Sequence, residues 1–211
     1  MRRAFVIALL LLAPCGCGIG STEPATDAPG SGPASTSAAD HDGARIRLGP
    51  NDRRSLALPG GQQRSIASLL VVPSPLHYGQ FVWNEAGIPD DKVWIRVDLV
   101  AQTLSVFRGG HEIGTAVILY GADSHPTPRG RFPILAKLKD HRSSLYDAAM
   151  PFTLRLTGDG VAIHGSNVRY GAATHGCIGI PEAFAALVFA AVRAGDLVFI
   201  VPEDTHRRSA N

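Results

Sequence analysis

The chain has 211 residues, a formal net charge of +2 and an isoelectric point near 8.6. This length allows one ordinary domain with additional segments. The weak positive charge is not the dense basic surface that nucleic-acid binding requires, so we expect no nucleic-acid partner.

The first 20 residues, MRRAFVIALLLLAPCGCGIG, have the layout of a secretory signal peptide. An arginine pair precedes an apolar run from Ala4 to Ala13, and small residues follow it. The run is short for a helix that spans a bilayer, and the alternative is a buried N-terminal strand or helix. We therefore expect an exported protein of the periplasm or cell envelope.

Two cysteines, Cys15 and Cys17, lie where bacterial lipoprotein signals carry a lipidated cysteine. The sequence LAPC resembles such a site, although Pro14 fits it poorly, so an outer-membrane or inner-membrane lipid anchor stays open. If cleavage follows Cys17, Cys177 is the one cysteine of the mature chain. It then has no partner for an internal disulfide and is either an inert buried thiol or a reactive one.

Composition divides the remainder of the chain into segments. Residues 21–44 are rich in Ser, Thr, Pro, Ala and Gly, which predicts a disordered tether. Residues 45–92 hold one apolar run and an aromatic cluster broken by prolines, and we expect them to form an extension that packs on the main domain. That domain spans residues 93–202, and residues 203–211 form a C-terminal tail.

The pattern within residues 93–202 predicts a mostly β domain with one clear helix. From Val93, the sequence VWIRVDLVAQTLSVFRGGHEIGTAVILYG alternates apolar and polar residues around a Gly-Gly turn, which indicates antiparallel strands. A Pro/Gly-rich loop, GADSHPTPRG, leads to another strand, and FTLRLTGDGVAIHG predicts a hairpin that turns at residues 158–160. A helix is predicted to begin at Pro181 and to stop at Gly195, before the buried strand DLVFIV.

The stretch IHGSNVRYGAATHGCIGIP places Cys177 within reach of two histidines. Cysteine catalysis requires a thiolate, a base and donors for an oxyanion. His164 ends an apolar strand, and the Gly165 carbonyl is placed to orient its ring as a carboxylate does in other triads. Gly176 leaves the nearby backbone amides unshielded. Each residue also has a plainer interpretation, the cysteine as a small hydrophobe and His164 as a surface group, but together they favour a working thiol.

These residues resemble the YkuD-type L,D-transpeptidase family, whose hallmark is His-Gly, a variable loop, and Ser/Thr-His-Gly-Cys before an aliphatic residue. The block THGC, the upstream segment TPRGRF and the closing helix and strand occur in the family's order over residues 93–202. The resemblance implies a YkuD-like β-sandwich with one or two short helices. It also implies an enzyme without a cofactor, and we expect a monomer.

The resemblance assigns a role to each matching residue. Cys177 is the nucleophile and His164 the base, oriented by the Gly165 carbonyl. The backbone near Gly176 and Cys177 forms the oxyanion hole. In addition, His175 shapes the site and Thr174 ties the loop by its hydroxyl.

The implied partner is a peptidoglycan stem peptide. Cys177 attacks the carbonyl that joins the L-centre of diaminopimelate to a terminal D-alanine, and the thioester passes to an acceptor. The acceptor is left open among a second stem (giving a 3–3 cross-link), a D-amino acid, a lipoprotein lysine and water.

Two departures from the family bear on substrate preference. Gly179 stands where relatives carry Arg or Asn, and Arg169 is a candidate to supply the missing contact. The loop between His164 and Thr174 is also shorter than in relatives.

Three rival functions were weighed against this one. A zinc site at His164, His175 and Cys177 lacks a neighbouring carboxylate base. A cell-wall-binding lipoprotein of the same fold without activity is the main alternative. A papain-type peptidase has its cysteine before its histidine, which this sequence does not. Other histidines, such as His141, are assigned to turns or ends, and His125, in the GADSHPTPRG loop, is assigned no role.

Overall fold

The computed structural model describes residues 44–49, 51–52, 54–72, 75–143 and 147–201. The predicted signal peptide, the two candidate cysteines for lipidation, nearly all of the predicted tether and the predicted C-terminal tail lie outside these ranges. Within the described ranges, no helix is long and apolar enough to cross a membrane.

Strands dominate the described residues, as the sequence predicts, and one helix lies near their end. The elements are β1 (Arg45–Arg47), β2 (Arg54–Leu58), β3 (Gln62–Ile66), β4 (Ser68–Leu70), β5 (Phe81–Trp83), β6 (Val93–Asp98), β7 (Thr103–Arg108), β8 (His111–Val117), β9 (Gly130–Pro133), β10 (Ala136–Leu138), β11 (Thr153–Arg155), β12 (Ala162–Ser166), β13 (Ile178–Pro181), α1 (Glu182–Ala191) and β14 (Leu197–Val201).

The largest sheet has the order β1-β4-β8-β7-β6-β14-β9, and β5 pairs with β8 as well. Strands β6, β7 and β8 are antiparallel neighbours, which confirms the pattern predicted from Val93 onwards. Strand β14 pairs in parallel with β6, so the C-terminal strand lies inside the sheet and is buried over residues 198–201. This arrangement gives the sheet an apolar face that a second layer must cover.

The second sheet, in the order β10-β11-β12-β13, carries the motif residues. Its β11–β12 hairpin pairs Leu154 with Ile163, as predicted, and Gly160 in the connecting turn has a φ of +106°. Strands β12 and β13 are parallel, so both run towards the same edge of the sheet. The two larger sheets and α1 share one core, in which Ile95, Ile163 and Phe184 have no exposed surface.

Helix α1 ends earlier than the sequence predicts. It begins after Pro181, whose φ of −51° suits a helix start, and its last residue is Ala191. Val192 is extended, so the predicted stop at Gly195 was wrong. Gly195 has a φ of +91° and instead turns the chain towards β14.

A second core covers the opposite face of the large sheet. Alternation along β6 directs Trp94 away from the main core, and yet Trp94 is only 4% exposed. The β2–β3 hairpin supplies Leu58 and Ile66 to this face, where Trp94 stacks on Phe107 with ring centroids 4.2 Å apart. The large sheet is therefore covered on both faces at this point.

Candidate active site

The parallel pairing of β12 and β13 brings the two motif segments together. The register aligns Ile163 with Ile178 and His164 with Gly179, and Cys177 directly precedes β13. Ile163 and Ile178 point into the core, so alternation directs the His164 and Cys177 side chains to the other face. Strand spacing and a two-residue offset place the two Cα atoms about 8 Å apart.

His164 is held in a buried position by its own backbone neighbour. The ring Nδ1 lies 2.9 Å from the Gly165 carbonyl oxygen, which can only accept a hydrogen bond, so Nδ1 carries the proton. In the neutral ring, Nε2 is then the basic nitrogen. Burial lowers the pKa of His164; the bond to the Gly165 carbonyl opposes that shift, and the nearby charge of His141 adds to it.

Gly165 lets neighbouring segments approach this strand closely. Its amide donates to the Pro151 carbonyl oxygen at 2.8 Å. A Cβ at this position would meet Pro151 Cγ at 3.0 Å and Glu182 Cγ at 3.3 Å. The residue after His164 therefore has little room for a side chain, and its carbonyl is fixed for the imidazole.

Cys177 is the one cysteine among the described residues, and it is half-buried with a free thiol. Its Sγ donates to the Gly160 carbonyl oxygen at 3.8 Å, in the turn of the β11–β12 hairpin. Burial raises the pKa of the Cys177 thiol, partly offset by a hydrogen bond from the Ala162 backbone. Together with the depressed pKa of His164, this makes the resting pair an uncharged imidazole and an uncharged thiol near neutral pH.

The turn before Cys177 is tied on both sides. Thr174 Oγ1 donates to the Cys177 carbonyl oxygen at 2.5 Å, and the Thr174 amide donates to the Tyr120 carbonyl oxygen at 3.0 Å. The Ala122 amide donates in return to the Thr174 carbonyl oxygen at 3.1 Å. Gly176, with a φ of +102°, adopts a conformation that favours glycine. The backbone amides beside Cys177 are consequently held in one arrangement.

His175 and Arg169 lie at the surface. The His175 ring meets the His125 ring edge to face, with centroids 5.2 Å apart, so the loop that holds His125 does border this turn. Arg169 is exposed and forms the start of a turn in the β12–β13 loop, where its carbonyl accepts from the Ala172 amide at 3.3 Å.

Gly179 stands at a crowded position. A Cβ there would lie 3.0 Å from Ser166 Cβ and 3.4 Å from Leu119 Cβ. The Leu119 and Gly179 amides also exchange backbone hydrogen bonds at 2.8 and 3.0 Å, which brings the strands close. Gly179, where the family usually carries Arg or Asn, therefore lies at a position where Ser166 and Leu119 leave little room for a side chain.

A cleft of about 510 Å³ opens beside the end of β12. Its walls expose more apolar than polar surface, and they also carry charged side chains of both signs. Its lining consists of Asp140, His141, Arg142, Ala149, Pro151, Gly165, Ser166, Asn167 and Glu182. The sequence predicts only a turn or chain end for His141 and only a helix start for Glu182, because the chain supplies this lining from separate elements.

The zinc alternative finds no support in the geometry of the described part of the chain. No group of three His, Cys, Asp or Glu side chains is arranged there to hold a metal ion.

Comparison with known proteins places this site in a family. The family model of the L,D-transpeptidase catalytic domain (YkuD) matches residues 92–200, which is just over half of the chain. L,D-transpeptidase 1 of Mycobacterium tuberculosis is 30% identical over 118 residues, covering 48% of this chain and 47% of that protein. The chain thus spans about half the length of the curated relatives it matches.

Two solved structures are similar to this chain, and the first has the same fold. An L,D-transpeptidase from Stackebrandtia nassauensis superposes with a TM-score of 0.50 at 22% identity, over 58% of this chain and 60% of that one. L,D-transpeptidase 1 of Mycobacterium tuberculosis gives a TM-score of 0.48 at 28% identity, over 53% of this chain and 63% of that one. The family match over residues 92–200 leads to one conclusion: the chain belongs to the L,D-transpeptidase catalytic domain family.

Proposed function

We propose that this protein is an L,D-transpeptidase that acts on peptidoglycan stem peptides through a thioester on Cys177. The observation that carries the proposal is the buried His164, whose Nδ1 is bonded to the Gly165 carbonyl on the strand beside the cysteine. That bond leaves Nε2 as the ring's base, on the sheet face that Cys177 shares.

In the first half-reaction, His164 Nε2 takes the thiol proton as Cys177 Sγ attacks the carbonyl carbon between diaminopimelate and D-alanine. The new C–S bond places negative charge on the carbonyl oxygen, which accepts hydrogen bonds from the backbone amides beside Gly176. The imidazolium then gives its proton to the nitrogen of D-alanine, the C–N bond breaks and the thioester remains.

In the second half-reaction, an acceptor amine attacks the thioester carbonyl. His164 takes a proton from the amine and returns it to the sulfur as the C–S bond breaks, which restores the uncharged pair. An amine from a second stem gives a 3–3 cross-link, and a D-amino acid or a lipoprotein lysine gives the corresponding exchange or attachment.

The directions of the two pKa shifts favour proton transfer during attack over a preformed ion pair. Burial destabilises both the imidazolium and the thiolate, so each is short-lived. A low imidazolium pKa also makes His164 a ready proton donor to the leaving amine. At rest the Cys177 thiol donates a hydrogen bond to the Gly160 carbonyl oxygen, so this hydrogen bond must break before the sulfur attacks.

We further propose that the reaction takes place in the cell envelope. The N-terminal arrangement of arginine pair, apolar run and small residues supports export, and Cys15 or Cys17 offers a position for a lipid anchor. Fractionation of cells that express the full chain tests this, since export predicts the protein in the envelope fractions and a cytosolic pool of uncleaved chain contradicts it.

Product analysis tests the reaction itself. The full chain is incubated with muropeptide tetrapeptides, and mass spectrometry follows D-alanine release and new products, beside the variants Cys177→Ala and His164→Gln. We expect D-alanine release with a cross-linked, exchanged or hydrolysed product from the unaltered chain. Cys177→Ala is expected to give none, and His164→Gln to be slower by at least about 100-fold.

Absence of turnover in all three folded proteins would contradict the proposal and favour the wall-binding alternative. Equal turnover in Cys177→Ala would exclude the thioester.

A further inference from the structure

Tyr170 is the most exposed of the large apolar side chains in the described part of the chain, at 87%. It occupies the second position of a turn from Arg169 to Ala172, closed by the Ala172 amide on the Arg169 carbonyl at 3.3 Å. Gly171, with a φ of +75°, takes the third position as a type II turn requires. This geometry projects the ring outwards and leaves it accessible.

A second aromatic ring, that of Tyr78, packs against Tyr170. Tyr78 meets it edge to face, with centroids 5.8 Å apart and an interplanar angle of 76°. The Tyr78 hydroxyl donates to Gln102 Oε1 at 3.0 Å, and Gln102 Nε2 donates to the Tyr120 hydroxyl at 3.3 Å. We call Tyr78 and Tyr170 the aromatic corner.

The base of the aromatic corner is well packed. Val168, two residues before Tyr170, is buried with Val117 and Leu119, and Tyr78 packs against the same cluster. An anchored loop that exposes an aromatic ring is typical of a surface that binds a partner, because the ring contributes area at little cost in conformational entropy.

The aromatic corner is joined to the candidate active site along the chain and through space. Tyr170 lies six residues after His164 and seven before Cys177, in the loop that connects them. Tyr120, at the end of the hydrogen-bonded series from Tyr78, accepts the Thr174 amide with its carbonyl. The aromatic corner is therefore connected to the turn before Cys177 both by the chain and by this hydrogen-bonded series.

We propose that the aromatic corner binds an N-acetylhexosamine ring of the glycan strand to which the stem peptide is attached; this rests on the proposed function. A sugar ring has flat faces of C–H groups that pack on aromatic rings, and a polar rim. Two uncharged amide side chains lie beside Tyr78 in the chain or in contact with it. Gln80 closes the turn from His77 that contains Tyr78, and Gln102 accepts the Tyr78 hydroxyl. Amides suit hydroxyl and acetamido groups. Arg169 directly precedes Tyr170 and disfavours a cationic partner, and the flat aromatic face favours a ring-shaped one.

The test compares two substrates that share one stem tetrapeptide, free in one case and linked to its disaccharide in the other. The ratio of their kcat/KM values measures what the glycan contributes. Tyr170→Ala is expected to lower this ratio about tenfold, a size usual for a central aromatic contact, whereas Tyr170→Phe keeps the ring and most of the ratio. Val100→Ala removes another exposed apolar side chain, in the β6–β7 turn, and is the matched control with an unchanged ratio.

A second measurement separates this inference from the proposed function. Binding of an N-acetylglucosamine tetramer to Cys177→Ala is followed by NMR chemical-shift changes, with and without Tyr170→Ala. Tetramer binding that is lost in the Tyr170→Ala variant supports the inference. This holds even if the unaltered chain releases no D-alanine, since absence of D-alanine release would contradict only the proposed reaction. Tetramer binding that survives Tyr170→Ala, no tetramer binding, or an unchanged kcat/KM ratio would overturn the inference.

Discussion

Gly121→Ala is expected to disable the site by adding a single methyl group. Gly121 lies under the loop that holds His125 and against the turn before Cys177. A Cβ there would lie 2.9 Å from Gly176 Cα and 2.8 Å from the Thr127 amide nitrogen, and closer still to the His125 carbonyl oxygen. Ordinary contact begins at 3.4 Å, so the backbone at Gly176 must retreat by 0.5 Å and the His125 carbonyl by more.

The displaced atoms are backbone and cannot relax by rotamer change. Overpacking of this kind costs about 1–3 kcal/mol of unfolding free energy. The Gly176 shift also moves the amides proposed for the oxyanion, and misplacement approaching 1 Å costs on the order of 100-fold in rate. We therefore expect a lower unfolding free energy and a loss of D-alanine release out of proportion to it.

The assay is urea unfolding together with D-alanine release, measured for Gly121→Ala and Gly158→Ala. Gly158 lies in the β11–β12 turn with nothing within 4 Å of its added Cβ, so its variant is expected within about 0.5 kcal/mol of the parent. Parent-like stability and turnover in Gly121→Ala would show that Gly121 does not constrain the turn before Cys177.

Three further perturbations have defined outcomes. Burial raises the pKa of the Cys177 thiol. The rate of its alkylation by iodoacetamide should therefore still increase with pH above pH ~8.5 and show no plateau near neutral pH. A plateau in that rate between pH 5 and 8 would instead indicate an ion pair with His164. Thr174→Val removes the donor to the Cys177 carbonyl and should lower kcat about tenfold or more with little change in the melting temperature, whereas unchanged kcat contradicts the role. Phe184 is fully buried and its ring contacts Phe81, so Phe184→Ala should lower the unfolding free energy by about 3–5 kcal/mol, measured by urea unfolding. A loss under about 1 kcal/mol would mean that this contact is not part of a tight core.

Much of the fold follows from local pattern. Alternation from Val93 onwards predicted the antiparallel strands, and the turn at residues 158–160 predicted the hairpin. The helix start was predicted to within one residue, at Pro181 instead of Glu182, because proline signals are local. Its end was misplaced because Gly195 marks the turn into β14, and the sequence offers no earlier stop signal.

Features that depend on distant segments were beyond the sequence. The hairpin that buries Trp94 comes from residues 54–66, and the alternation along β6 does not indicate which segment covers Trp94. The crowding at Gly179 arises from Ser166 and Leu119, on two other segments. The lining of the cleft by His141 and Glu182 has the same cause, since tertiary pairing brings together residues that are far apart in the chain.

The most direct test of the central claim is the mass of the intact protein, quenched in acid during turnover of a tetrapeptide stem. The proposed mechanism predicts a covalent adduct equal to the stem without its terminal D-alanine, on the peptide that contains Cys177, and absent from Cys177→Ala. The reaction is also quenched at several times before any acceptor amine is added. D-alanine release without an adduct at any of these times would contradict a thioester on Cys177.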